Sequence, residues 1–362
     1  PFMFAIGFYI GFDGSRAFGA VDVDRDGDLD LLIGNFAGRT VRLLLNDGDG
    51  RFDEGTPTHM PNITNAGVFQ FDMVDIDGDG DLDYVAGNHS SGTYTQTTIL
   101  RNDGSGHFAD VSRSSGITLQ SYPHYGDPSG ATGDFDGDGD ADLVLSGAVG
   151  SGTPQSCRLL RNDGAGIFTY DASAFPVDQG RYNTENGDLR AADLDGDGDL
   201  DIVGPGVDWG MACFLNDGSG HFTNAQATHL PASAGRLARF AALRLGDVDR
   251  DGDLDIVASQ DWVLARPFLF LNDGTCHFTD VSATQMPNDA RGGAELLLAD
   301  FDGDGDLDLL TVLYAGIAYP GFLGSQEILI NDGLGRFARD PGARMIANLR
   351  NGGAQDAIAA DF

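Results

Sequence analysis

The chain has 362 residues, 41% of them apolar, and its 21 basic and 56 acidic residues give a formal net charge of −35. A surface of that sign repels nucleic acid and anionic membrane and attracts divalent cations. There is no run of about 18 apolar residues to cross a membrane, and Cys157, Cys213 and Cys276, with no CxxC among them, allow at most one disulfide and argue against thiol-based zinc or redox chemistry.

The chain opens with PFMFAIGFYIGF, in which Phe2, Phe4, Ile6, Phe8, Ile10 and Phe12 alternate with smaller or more polar residues. Period-two alternation predicts a β-strand with one apolar face. No basic stretch precedes it, so it does not read as a signal peptide, and without a starting Met the chain reads as a processed or partial form. Residues 1–17 are therefore set apart as an apolar strand segment, available to close a fold in cis or to be donated to a neighbouring subunit.

From residue 18 to 362 a repeat dominates. An acidic nonapeptide occurs six times: DVDRDGDLD at 22–30, DIDGDGDLD at 75–83, DFDGDGDAD at 134–142, DLDGDGDLD at 193–201, DVDRDGDLD at 247–255 and DFDGDGDLD at 300–308. A second phrase begins 23 to 31 residues after the start of each copy: NDGDGRF, NDGSGHF, NDGAGIF, NDGSGHF, NDGTCHF and NDGLGRF. Within the first repeat, AFGAV leads into the Asp loop, LDLLIG leaves it, and TVRLLL enters the NDGDG turn. Asn-Asp-Gly between apolar runs is hairpin chemistry, because Asn and Gly accept positive φ. Four short antiparallel strands per repeat predict an all-β propeller. GGAQDAIAADF at 352–362 echoes GGAELLLADF at 292–301, the approach to the sixth Asp loop. The expectation is a seven-bladed β-propeller: six complete four-stranded repeats plus the start of a seventh, with Ca²⁺ loops between strands one and two of each blade.

Alternate residues of a tight loop can turn their oxygens to one centre, and several hard oxygen ligands select Ca²⁺ over the stricter octahedron of Mg²⁺. In the first loop the expected ligands are the side chains of Asp22, Asp24, Asp26 and Asp30, the last bidentate, with the backbone carbonyl of Asp28. The other loops map position by position onto Asp75, Asp77, Asp79, Asp81 and Asp83; Asp134, Asp136, Asp138, Asp140 and Asp142; Asp193, Asp195, Asp197, Asp199 and Asp201; Asp247, Asp249, Asp251, Asp253 and Asp255; and Asp300, Asp302, Asp304, Asp306 and Asp308. The bland alternative is a solvated acidic turn, but five acids in nine residues would then repel without compensation. About six Ca²⁺ are expected, serving the fold.

The pairing of DxDxDGDxD with a later LLNDGxGxF resembles the VCBS/FG-GAP repeat family, which includes the calcium-binding propellers of integrin α-subunits and some integrin-like lectins. The resemblance covers about residues 13–362 and implies extracellular or cell-surface location, calcium in the blades, and adhesion or glycan binding. The integrin-type Phe-Gly…Gly-Ala-Pro phrase survives only as the fragment Phe18-Gly19-Ala20, so integrin-specific biology is not carried over.

Loops joining strands two and three, and strand four to the next blade, should lie on the face opposite the Asp loops, and they are the variable segments. Trp209 and Trp262 fall at similar places in adjacent repeats, each after an Asp; with Tyr122, His124 and Tyr125 they form a possible ligand face for sugars, or else pack blades. His107, His221 and His277 share one turn position and read as turn residues. Asn62 and Asn88 begin possible glycosylation sequons. No catalytic signature is present, so an enzyme is not expected. The leading functional expectation is a structural protein that self-assembles, a head-to-tail homopolymer or fibril joined through its N-terminal strand. The alternative is a carbohydrate-binding lectin or cell-adhesion protein using the variable loops. No nucleic-acid partner and no membrane insertion are expected.

Overall fold

The computed structural model describes residues 3–8, 15–35, 41–63, 67–89, 97–117, 130–147, 156–176, 189–205, 210–235, 240–260, 265–293, 295–312, 326–340 and 354–360. Strand β1 (Met3–Phe8) stands first. Blade I follows as β2 (Ser15–Val21), β3 (Asp30–Asn35), β4 (Arg42–Asn46) and β5 (Phe52–Glu54). Blade II is β6 (Gly67–Val74), β7 (Asp83–His89), β8 (Thr97–Asn102) and β9 (Phe108–Asp110). Blade III is β10 (Gly130–Gly133), β11 (Asp142–Gly147), β12 (Ser156–Asn162) and β13 (Phe168–Asp171). Blade IV is β14 (Arg190–Ala192), β15 (Asp201–Pro205), β16 (Met211–Asn216) and β17 (Phe222–Asn224). Blade V is β18 (Phe240–Gly246), β19 (Asp255–Gln260), β20 (Phe268–Leu271) and β21 (Thr279–Asp280). Blade VI is β22 (Glu295–Ala299), β23 (Asp308–Val312), β24 (Gln326–Asn331) and β25 (Phe337–Arg339), and β26 (Ala354–Ala360) ends the described chain.

Each blade is a four-stranded antiparallel meander in sequence order. In blade I, Val21 stands opposite Asp30, Leu32 opposite Leu43, and Asn46 opposite Phe52. The NDG phrase closes the third and fourth strands in every blade; in blade I the Asp47 amide donates to the Arg51 carbonyl at 3.0 Å. Single helical turns α1 (Thr56–His59), α2 (Gln226–His229) and α3 (Ser282–Gln285) follow the outer strands of blades I, IV and V.

The ring has six blades, not the expected seven. Among the described residues six repeats have all four strands. The other sheet is two-stranded, with β1 antiparallel to β26 and Met3 opposite Ala360. It sits between blades VI and I, where β26 packs beside both β22 and β2. The apolar N-terminal strand thus pairs in cis with the tail of its own chain. Phe4, Ile6 and Phe8 lie on β1, whereas Phe2, Ile10 and Phe12 fall outside the described residues.

The core lies in the seams between blades. Alternation through the Asp loops sends the apolar second residue inward: Val23, Ile76, Phe135, Leu194 and Val248 are buried, and Phe301 of the sixth loop is half-buried. Leu194 of blade IV, for example, joins Leu243, Ile256 and Phe270 of blade V in one cluster. Burying each such side chain is worth about 1.5–3 kcal/mol, so the acidic loops are anchored by greasy feet.

Candidate metal centres

The Asp loops join the first and second strands of each blade, as expected, and each position has its own task. In blade I the first residue, Asp22, accepts the amides of Asp26 at 3.2 Å and Gly27 at 3.0 Å. In blade II, Asp75 accepts those of Gly78 at 2.8 Å and Gly80 at 2.9 Å. Asp24 and Asp26 each accept the amide two residues on. These bonds curl the backbone so that carboxylates converge. Oxygens within 4.8 Å of one another come from Asp22, Asp24 and Asp26; Asp193, Asp195 and Asp197; and Asp247, Asp249 and Asp251. In two further loops the ninth residue takes part: Asp75, Asp77 and Asp83, and Asp134, Asp136 and Asp142.

That ninth residue is buried in every loop: Asp30, Asp83, Asp142, Asp201, Asp255 and Asp308. Its two oxygens tie the loop to the third strand. Asp30 accepts the Val23 amide at 3.0 Å and the Asn46 amide at 2.8 Å, and Asp201 accepts those of Leu194 at 3.0 Å and Asn216 at 2.9 Å. Burial raises the pKa of these carboxyls, the two amide bonds pull it back, and neighbouring aspartates add to the rise. Asp30, Asp83 and Asp142 are pushed up to about 6, and Asp201 and Asp255 to about 7.

The seventh residue faces elsewhere. The side chains of Asp28, Asp81, Asp140, Asp199, Asp253 and Asp306 lie against the glycine of the NDG turn in their own blade. A Cβ on Gly48, whose φ is +75°, would collide with the Asp28 carboxylate, so this Gly is needed for space as well as for its backbone angle. At the fourth position four loops have Gly, but blades I and V have Arg25 and Arg250 at φ 61° and 62°. Each reaches across the seam to a seventh-position aspartate of the next blade, Arg25 to Asp81 and Arg250 to Asp306.

The donor set fits a hard cation. The converging atoms are carboxylate oxygens with no sulfur or imidazole among them, the set that Ca²⁺ prefers. In blade II the Oδ1 of Asp77 is buried without a hydrogen-bond partner, while Oδ2 pairs with Arg101. Within these clusters burial raises the pKa of Asp24, Asp77, Asp83, Asp142, Asp195 and Asp249, and neighbouring carboxylates add to the rise; a divalent ion would supply the neutralising charge.

The turn asparagines carry a role that sequence reasoning did not assign. Beyond shaping the hairpin, the side-chain amides of Asn102, Asn162, Asn216, Asn272 and Asn331 donate to the second-position carbonyl of the preceding blade's Asp loop, at 2.7–2.8 Å. Recurrence of Asn at one position in all six turns was the available signal, and turn propensity alone accounted for it. His107, His221 and His277 sit in turns as expected, and the rings of His107 and His277 pack, tilted by 32° and 31°, against His59 and His229 of the preceding blades at 4.1 Å between centroids. Trp209, Trp262, Tyr122, His124 and Tyr125 lie outside the described residues. Asn62 is exposed just after α1, and Asn88 lies on β7 opposite Val68.

A model of the FG-GAP-like repeat matches residues 22–86, 75–145, 134–204, 193–258 and 247–311, that is, Asp loop to Asp loop. The chain belongs to this family. No curated protein sequence matches it. Among solved structures, a lectin of Agrocybe aegerita described as recognising non-reducing terminal N-acetylglucosamine is similar at a TM-score of 0.54 and 20% identity, covering 90% of this chain and 79% of that one. The fucose-specific lectin of Aleuria aurantia is similar at 0.51 and 12% identity, covering 93% and 96%. A triple-arginine mutant of AofleA from Arthrobotrys oligospora reaches 0.52 at 12% identity, covering 99% and 92%. At these identities the likeness is one of fold.

Proposed function

We propose that this FG-GAP propeller is an extracellular glycan-binding protein whose blades are held by about six calcium ions. The observation that carries the reading is the division of labour between the two rims. Every blade runs as an antiparallel meander. One rim therefore collects the near-identical Asp loops and NDG turns, and the strand ends that lead into the segments differing from repeat to repeat lie at the other. Variable loops on a rigid, repeated scaffold are where recognition is built. Propellers of similar fold that are described as N-acetylglucosamine- and fucose-binding lectins support the choice of ligand class. In this reading calcium serves the fold, because the carboxylate clusters lie at the rim opposite the strand ends that lead into the variable segments. Self-assembly through the N-terminal strand is the weaker reading, since β26 of the same chain already pairs with β1.

The test is a glycan array in calcium, followed by calorimetry with N-acetylglucosamine and methyl fucoside. Binding of terminal sugars, lost when chelator melts the ring, is the expected result. A silent array with a folded, calcium-loaded protein would remove the lectin reading.

A further inference from the structure

The seam between blades IV and V differs from the others at two facing positions. Cys276 stands in the NDGTCHF turn where the other five turns carry Gly50, Gly106, Gly166, Gly220 and Gly335, all at φ between 69° and 76°. Cys276 keeps the same left-handed backbone, at φ 60°, where an L side chain is disfavoured. Its amide donates across the seam to the Leu194 carbonyl at 3.0 Å, which fixes the turn against blade IV. The second departure is Cys213, three residues before the turn Asn of blade IV. The other blades have Leu43, Ile99, Leu159, Leu269 or Ile328 there.

The two changes are complementary. At the preceding seam a Cβ placed on Gly220 would come within 2.7 Å of Arg161 Nη2 and 2.9 Å of Leu159 Cδ2, the latter in the residue equivalent to Cys213. At that seam the aliphatic thus helps to crowd out a side chain in the facing turn. At the seam between blades IV and V the aliphatic is shortened to Cys213 and the glycine is lengthened to Cys276. Their sulfurs lie 3.4 Å apart, and both residues are fully buried.

We propose that Cys213 and Cys276 are a disulfide-forming pair that staples blade IV to blade V. The reaction is thiol–disulfide exchange with a small-molecule disulfide. Its S–S bond breaks, the Cys213–Cys276 S–S bond forms, and two small thiols leave carrying the two cysteine protons. The contact with Cys213, together with burial, holds the Cys276 thiol far above its usual pKa. The closed seam therefore disfavours the attacking thiolate, and exchange belongs to folding, before the turn docks.

Refolding the reduced chain in calcium with a reduced/oxidised glutathione buffer tests this. The product is alkylated in denaturant without reductant, weighed intact and mapped. The expected product carries two fewer alkyl groups than the reduced control, with Cys213 and Cys276 in one linked peptide. Three alkylated cysteines, or a link through Cys157, would overturn the proposal. Cys276→Gly restores the residue of the other five turns and keeps the fold testable. Reductant should lower the melting midpoint of the wild type and leave that of Cys276→Gly unmoved, and an equal response of both proteins also overturns it.

Discussion

The six blades and the two-stranded closing sheet solve the same problem, tying a strand into a ring, with different means. A blade is held three ways. Its strands pair, its ninth-position Asp binds loop to third strand, and from blade II onward its turn Asn reaches back to the preceding blade. In the closing sheet the described ties are the β1–β26 pairing and the packing of β26 beside β2 and β22. The contrast locates the ring's strength. Among the described residues it lies at the rim of Asp loops and turns, where polar side chains replace the water that buried backbone groups would otherwise lack, and the described ties are fewest where blades VI and I meet.

Removing the proposed calcium tests the stronger region most severely. An ion that binds only the folded chain at a hundredfold excess over its Kd adds roughly 2.7 kcal/mol per site. With about six sites acting together, chelation should lower the thermal midpoint more than any single substitution, as read by circular dichroism or calorimetry. A melting curve indifferent to EDTA would assign the carboxylate clusters to solvent. Stability in chelator should then depend on pH. Burial pushes Asp30, Asp83 and Asp142 up to about 6 and Asp201 and Asp255 up to about 7, against an ordinary 3.8, and raises Asp308 as well. A raised folded pKa gives stability that is fully present below the unfolded value and is lost as pH rises through the folded one. Metal-free protein should melt higher at pH 5 than at pH 8, and calcium should reverse that order because it binds the ionised form. A metal-free midpoint that rises between pH 5 and pH 8 would contradict the burial argument.

The repeat was legible because its signals are local. Asn-Asp-Gly fixes a hairpin within a few residues, and the acidic nonapeptide fixes a loop, so strand order and loop placement follow from spacing alone. The blade count was not legible in the same way. GGAQDAIAADF matches the approach to the sixth loop, but whether such a strand founds a four-stranded blade depends on partners elsewhere in the chain, and among the described residues β1 alone pairs with it. Seam chemistry was also hidden. The Asn-to-carbonyl bonds span 78 to 86 residues, and no local pattern separates a turn-shaping Asn from one that also bridges blades. The ninth-position Asp was read as a metal ligand from its spacing, and its service to two backbone amides appears only once the third strand is in place.

Deleting residues 1–8 probes the weaker region. Hydrogen exchange should lose protection first in β26 and β2, while blades III to V keep theirs, because opening is local where few groups bridge. Uniform loss of protection around the ring would make closure as important as the blades. If light scattering finds polymers of the intact chain, their disappearance on this deletion would show that β1 also serves in trans.

The smallest effect should come from a single bridge within the stronger region. Asn216 donates its side-chain amide to the Phe135 carbonyl of blade III at 2.8 Å and to Leu200, and it accepts the Asp217 amide at 2.9 Å. Asn216→Ala removes these bonds without touching a carboxylate. The buried Phe135 carbonyl then has no seam partner, at a cost of about 1–3 kcal/mol. Chemical denaturation in saturating calcium should show that loss with the ion stoichiometry unchanged. A loss that vanishes would mean that packing of Phe135 against Phe222, whose rings meet edge-on at 5.8 Å, holds the seam without its hydrogen bond. A loss accompanied by a missing ion would mean instead that seam and metal loop form one cooperative unit, so that each calcium ion stabilises the blade before it as well as its own.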